Sequence, residues 1–218
     1  MEPLSIIERV TAKIAPGRSP SFTESNVVKA LELIEGQVIG RTKLSRELQL
    51  GEGTTRTLIK HLKKEGIIQV SRRGIVLSDH GKKIVSGLKL NLSIGIEIPF
   101  SPITVAPYNI AVLVRGVAHK VNIGLEERDY AIKAGANGAT TLVFSKNRLT
   151  MPSSNQDILR NLPSIHAKLI SELHPKENDV IIIGSAETKM NAELGARTAA
   201  LELLRSAKKK ASKHENAE

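Results

Sequence analysis

The sequence predicts an α+β protein in two parts, helices with one hairpin in the first and alternating strands and helices in the second. Three observations predict it. Residues 41–89 read as helix, turn, helix, short hairpin and closing helix. The same stretch holds 12 Lys/Arg against 4 Asp/Glu, whereas residues 96–204 hold 11 of each. Around Leu90–Gly95 charge thins out, and Pro99, Pro102 and Pro107 punctuate extended chain before apolar runs begin to alternate with helical patterns. The expected parts are a helical extension over 1–20, a helical and hairpin unit over 21–92, an α+β ligand-binding or dimerisation domain over 93–210, and a disordered tail over 211–218.

In chain order, residues 3–15 (PLSIIERVTAKIA) form a helix candidate with Ile7, Val10 and Ile14 on one face, ended by Pro16-Gly17. Ser21-Phe22-Thr23-Glu24 carries the S-x-x-E capping pattern, ahead of a helix with Val27, Ala30, Leu31 and Ile34 in register that ends at Gly36. Thr42 is the expected N-cap of the next helix, which carries Leu44 and Leu48. Gly51 and Gly53 break that helix, and another is expected from Thr54 to Gly66.

The faces of this last helix suggest its use. Leu58, Ile59 and Leu62 gather on one side; Arg56, Thr57, Lys60, Lys63 and Lys64 gather on the other. Two β-branched runs, Ile67–Ser71 and Ile75–Leu77, flank Arg72-Arg73-Gly74 and read as a hairpin with two arginines at its tip. Ser78 then caps a helix carrying Ile84, Val85 and Leu88. This order, with its ending LSDHGKKI, resembles a winged helix-turn-helix of the kind found in many bacterial and archaeal repressors. Together with the cationic face it makes double-stranded DNA the expected partner.

The expected contacts are Thr42, Thr54, Thr55, Arg56, Lys60, Lys63, Lys64, Arg72 and Arg73. Thr55, Arg56 and Lys60 are placed toward the major groove, with Arg56 as base reader because arginine pairs bidentately with guanine. Lys60, Lys63 and Lys64 are assigned mainly to phosphates, and Arg72 and Arg73 to phosphates or a minor groove. His61 and His80 are read as surface or phosphate-facing residues.

In the second part, Asn109–Val114, Ala139–Phe144, Arg148–Met151 and Val180–Ile183 read as strands, the second and third as a hairpin and the last as central. Leu125–Ala134, Asn155–Leu173 and Glu187–Lys210 read as helices, with Pro163 a kink or split in the second. The expectation is an α/β two-layer sandwich with helices on one face. This half and its linkage to a winged helix resemble a small archaeal family of uncharacterised proteins. In that family the second domain is similar to the GAD-type domain inserted in some aspartyl-tRNA synthetases and amidotransferases. The stretch LEERDYAIKAGANGATTLVF and the element order carry the resemblance, which supplies no catalytic motif.

The chain of 218 residues has a formal charge of +10 and no cysteine, which excludes disulfides, thiolate nucleophiles and cysteine-bound metals. No apolar run is long enough to span a membrane, and no signal-peptide pattern opens the chain, so the expected location is the cytoplasm. None of its five aromatics (Phe22, Phe100, Phe144, Tyr108, Tyr130) lies in the basic region, which favours duplex backbone contact over base stacking. Nucleotide-binding and hydrolase motifs are absent, and no cofactor or metal is expected.

One further candidate is Gly184-Ser185-Ala186-Glu187-Thr188-Lys189, read either as an anion site at the start of the last helix or as a plain strand-to-helix turn capped by Ser185. Arg115, and the cluster Glu126-Glu127-Arg128-Asp129, are the groups that would line a neighbouring pocket for a small anionic effector. Three functions stay open: a DNA-binding transcription regulator, a repressor by resemblance, whose second domain senses an effector or dimerises; an enzyme with an appended winged helix; and an adaptor binding protein or structured RNA. A homodimer is expected, through the Ile7–Val10–Ile14 stripe or a stripe of Leu194, Leu201 and Leu204.

Overall fold

Pro3, whose ring presets the helical φ angle, opens α1 (Pro3–Thr11), and Leu4, Ile6, Ile7 and Val10 form its buried face. The structure, a computed structural model, describes residues 2–12, 20–152 and 158–214. It divides into two units, Met1–Lys89 and Leu90–Glu218.

In the first unit α2 (Glu24–Gly36) is capped by a different pair from the one the S-x-x-E pattern suggests. Thr23 Oγ1 accepts from Asn26 N, and Asn26 Oδ1 accepts from Thr23 N at 2.9 Å. An asparagine at the third helical position closes the box as well as a glutamate does, because both offer a side-chain carbonyl-type oxygen at that reach. The two following helices start earlier than their threonines propose: α3 (Arg41–Leu48) from Gly40 and α4 (Glu52–Lys64) from Gly51, neither with a side-chain cap. Thr42 and Thr54 therefore lie inside the first turns.

Strands β1 (Ile68–Ser71) and β2 (Gly74–Leu77) pair antiparallel with Ser71 opposite Gly74, leaving Arg72-Arg73 as the two-residue turn. Gly74 has φ +133°, and a Cβ there would sit 2.9 Å from Val38 Cγ1, so the turn needs glycine. Ile39 extends this ribbon through two backbone hydrogen bonds to Ile75. Ser78 caps α5 (Asp79–Lys89), its Oγ accepting from Gly81 N at 3.0 Å. α1 packs on α2, α5 and α4. Ile7 and Val10 are thus used inside the unit, and Ile14 lies outside the described residues.

The second unit is built on a five-stranded antiparallel sheet in the order β3-β4-β7-β5-β6. Its strands are β3 (Ile96–Ile98), β4 (Tyr108–Val114), β5 (Gly138–Ser145), β6 (Arg148–Thr150) and β7 (Val180–Ala186). β7 is central, as its apolar run suggests, and β5–β6 form the expected hairpin. The edge strand β3 has no counterpart among the expected elements, because three residues beside prolines leave no alternation to read.

Residues on alternate sides of β4, β5 and β7 meet different helices. Ala111, Leu113, Leu142, Phe144, Ile181 and Ile183 join Ile165, Leu169 and Leu173 of α7 (Pro163–Leu173) in one core. On the opposite face Gly184 lies against α8 (Lys189–His214), which also packs on α6 (Leu125–Lys133). The α+β class is as expected, but helices cover both faces rather than one, with α7 on the side away from the other two. Every residue of β7 is buried, which a sheet covered on both faces requires. Pro163 does not kink α7 but starts it, the position where its missing N–H is harmless. Of the stretch expected to precede it, residues 155–157 lie outside the described residues and 158–161 form turns. α8 continues to His214, four residues into the expected tail, whose remainder lies outside the described residues.

Candidate nucleic-acid interface

α4 carries the candidate interface, and its two faces are sharply different. Thr55, Leu58, His61 and Leu62 are buried, whereas Glu52, Arg56, Thr57, Lys60, Lys63 and Lys64 are exposed. At 100° per residue the four cations span roughly 100° of the helix circumference. Leu58 and Leu62 seat the helix; the opposite arc is a cationic stripe from Arg56 to Lys64, about 12 Å long at 1.5 Å per residue. Among the described residues none of Arg56, Lys60, Lys63 and Lys64 lies in an ion pair. Arg72 and Arg73, exposed at the hairpin turn, are equally without a carboxylate. Six cations with no internal partner therefore lie on α4 and the hairpin turn.

One expected contact, Thr55, and the cap readings of Thr42 and Thr54 need correction. Thr55 is fully buried and donates from Oγ1 to Gly51 O at 3.1 Å, so it does not face a groove. Its position gives the reason: Thr55, Leu58 and Leu62 share the i, i+3, i+7 stripe, and a polar residue type hid a core position. Thr54 is half-buried, and Thr42 is exposed without being a cap. His61, read as a surface residue, is buried; its Nδ1 lies 2.6 Å from Val10 O and its ring meets Phe22 edge-on. His80 is exposed, as read.

The proposed anion site of the second unit does not assemble. Gly184 and Ser185 are interior to β7, paired on one side with Ile110 and Asn109 and on the other with Ala139 and Gly138. Ser185 caps no helix; its buried Oγ accepts from Val105 N at 3.4 Å. A Cβ on Gly184 would stand 2.3 Å from Ala192 O and 2.7 Å from Ala196 N, so this glycine lets α8 approach the sheet. Lys189 Nζ is 2.6 Å from Glu97 Oε2, and that hydrogen bond, with the lysine's charge, holds the Glu97 carboxyl below its ordinary value. Arg115 leaves the far end of β4, five residues from the one facing Gly184, or roughly 16 Å along a strand.

Arg115 has a different employment. Its Nη1 meets Asp179 Oδ2 at 2.8 Å and donates to His174 O at 3.0 Å. The buried Asp179 carboxylate also accepts from Lys176 N at 2.8 Å and from Gly116 N at 2.9 Å. Of the acidic cluster on α6, Glu126, Arg128 and Asp129 are exposed, while Glu127 is buried and burial raises its pKa. On α8 the buried pair Glu193–Arg197, 2.8 Å apart, is a further internal charge that helical spacing alone shows only as an i, i+4 match. Leu201 and Leu204 of the expected dimer stripe are buried within this unit, and Leu194 is half-buried. Among the described residues no group of side chains is arranged to hold a metal, and no helix is long and apolar enough to cross a membrane.

The fold and the stripe define a class: a winged helix-turn-helix unit joined to an antiparallel α+β unit. Comparison with known proteins gives the particulars. Residues 26–92 match the family described as the CggR N-terminal DNA binding domain, and residues 105–203 match a domain of unknown function, DUF4443. A solved structure of a hypothetical protein from Pyrococcus horikoshii OT3 is 29% identical over 85% of this chain and 94% of its own, with a TM-score of 0.72. No curated protein matches the chain.

Proposed function

We propose that this protein is a DNA-binding transcription regulator, a repressor, with α4 as the recognition helix in the major groove. One observation carries the reading: six cations without internal partners line α4 and the wing of a unit similar to a known DNA-binding domain. Cations that release no internal carboxylate on binding are free to displace counterions from phosphate. Arg56 is assigned to a base edge, and Lys60, Lys63, Lys64, Arg72 and Arg73 to phosphates.

The second unit is proposed to sense an effector or to pair, rather than to catalyse, and to share the GAD-type likeness suggested by its element order. The working form is proposed to be a homodimer, since one winged unit reads few base pairs and two span half-sites about one helical turn apart. Neither proposal uses the Gly184–Lys189 segment or the buried leucine and isoleucine stripes.

Fluorescence anisotropy with duplex DNA, read against salt, tests the central claim. Arg56→Ala is expected to cost about 1–3 kcal/mol and to relax sequence preference; Lys60→Ala is expected to weaken all duplexes alike. If both substitutions leave affinity unchanged, α4 is not the reader. Sedimentation of the complex gives the copy number: a single 23.6 kDa chain on DNA excludes the dimer.

A further inference from the structure

The DNA-binding match begins at residue 26, yet α4 is held from behind by residues that precede it. α1 ends at Thr11, so the carbonyl of Val10 has no partner within its own helix. His61 Nδ1 lies 2.6 Å from that oxygen. A carbonyl only accepts, so the Nδ1 tautomer carries the hydrogen and donates it. Phe22 meets the same imidazole with ring centroids 5.5 Å apart and planes at 82°, an edge-to-face contact that fixes its orientation. Near the end of α4, Arg9 Nε pairs with Glu65 Oε2 at 3.1 Å. Arg9, Val10 and Phe22 thus grip the side of α4 turned away from Arg56 and Lys60.

We propose that α1 and Phe22 form an N-terminal clamp that sets the position of the recognition helix, with His61 as its positioning residue. The proposal rests on the DNA-binding reading above. Leu58 and Leu62 give α4 its attachment to the core, but aliphatic packing is non-directional and tolerates small rotations of a helix about its axis. A short hydrogen bond to a fixed carbonyl does not. With the clamp closed, the arc of Arg56, Lys60, Lys63 and Lys64 is presented in one orientation. With it open, only a fraction of molecules present that arc, and the apparent Kd rises as the inverse of that fraction.

The test uses the full chain and a fluorescein-labelled mixed-sequence duplex, below the melting temperature of each variant as read by circular dichroism. His61→Leu puts an apolar side chain of similar size in place of the imidazole and removes the donor; His61→Asn returns an N–H near the place of Nδ1. His61→Leu is expected to bind about tenfold more weakly while folded, and His61→Asn to recover to within about threefold of wild type. A purely structural role for His61 lowers the melting temperature and leaves the Kd of folded protein where it was, which overturns the clamp. Should His61→Leu fail to fold, Phe22→Leu carries the same expectation and the same refutation. Wild-type protein that binds no duplex sinks the DNA reading itself; wild type that binds while the folded variants match it sinks only the clamp.

Discussion

Removing the Asp179 carboxylate tests whether Arg115 serves as an internal lock rather than as a ligand for an effector. That carboxylate accepts three hydrogen bonds, from the Arg115 guanidinium and from the N–H groups of Lys176 and Gly116. Its side chain is 3% exposed, whereas that of Arg115 is 33% exposed. Asp179→Ala strands two backbone donors and leaves the guanidinium without its carboxylate. Each stranded donor costs about 1 kcal/mol or more, and losing the charged partner adds a comparable amount, so the expected loss is about 3–4 kcal/mol.

Arg115→Ala is milder, because Asp179 keeps two N–H donors and one third of the arginine was already in water. About 1–2 kcal/mol is expected. The double variant should cost little more than Asp179→Ala alone, giving a coupling of roughly 1 kcal/mol between the two positions. Urea unfolding of the four proteins, followed by far-ultraviolet dichroism, supplies the cycle. An Arg115→Ala protein as stable as wild type, with Asp179→Ala losing less than about 1 kcal/mol, would refute the lock.

Two further outcomes follow from the same structure. Replacing Arg72 and Arg73 together with alanine should weaken binding to all duplexes alike and reduce the log–log salt slope by roughly 0.9 for each phosphate no longer neutralised, and an unchanged slope places the wing away from DNA. For Glu127, burial disfavours the charged form and raises the folded-state pKa, so the folded protein holds its proton more tightly than the unfolded chain. The stability this gives is full below the unfolded value, about 4.3, and is lost as pH rises through the folded value. Glu127→Gln should therefore raise the melting temperature at pH 8 and lose that advantage near pH 4; an equal shift at both would show that charge is not the cause.

The first unit is legible in the sequence because its elements are local. Period-3.6 stripes, a glycine turn and a two-arginine hairpin are short-range signals, and the positions of α2, α3, α4, β1, β2 and α5 follow them closely. What fails there fails for want of depth information. Thr55 and His61 are polar types in buried places, and only a partner distant in sequence, Val10 for His61, makes the second tolerable. In the second unit the central strand is visible as VIII, but its continuation through Gly184-Ser185-Ala186 is not. Glycine and serine after an apolar run carry the same signature whether the chain turns or another helix closes on it. The distinction lies in Ala192 and Ala196, small residues one helix later whose backbone occupies the space a Cβ would need.

Among the described residues, each unit holds both paired cations and cations in no ion pair, the latter including Lys133, Lys146, Arg148 and Lys176 in the second. In the second, Arg115 pairs with Asp179, Lys189 with Glu97, Arg197 with Glu193 and Arg205 with Glu202. A cation already matched gains little from a phosphate, since the new contact must first replace an existing one. In the first unit pairing is found away from α4's outer arc, at Arg46–Glu47 on α3, at Lys82–Asp79 and Lys89–Glu35 on α5 and at Arg9–Glu65 behind α4. The outer arc and the wing turn are left with cations in no ion pair, beside the exposed Glu52 in the first turn of α4. Like charges set along one face repel one another and oppose folding by a small amount, a cost with no structural return. A polyanion lying along the arc reverses the sign of that term. Under the DNA-binding proposal, the unmatched cations of α4 and the hairpin turn serve binding rather than stability.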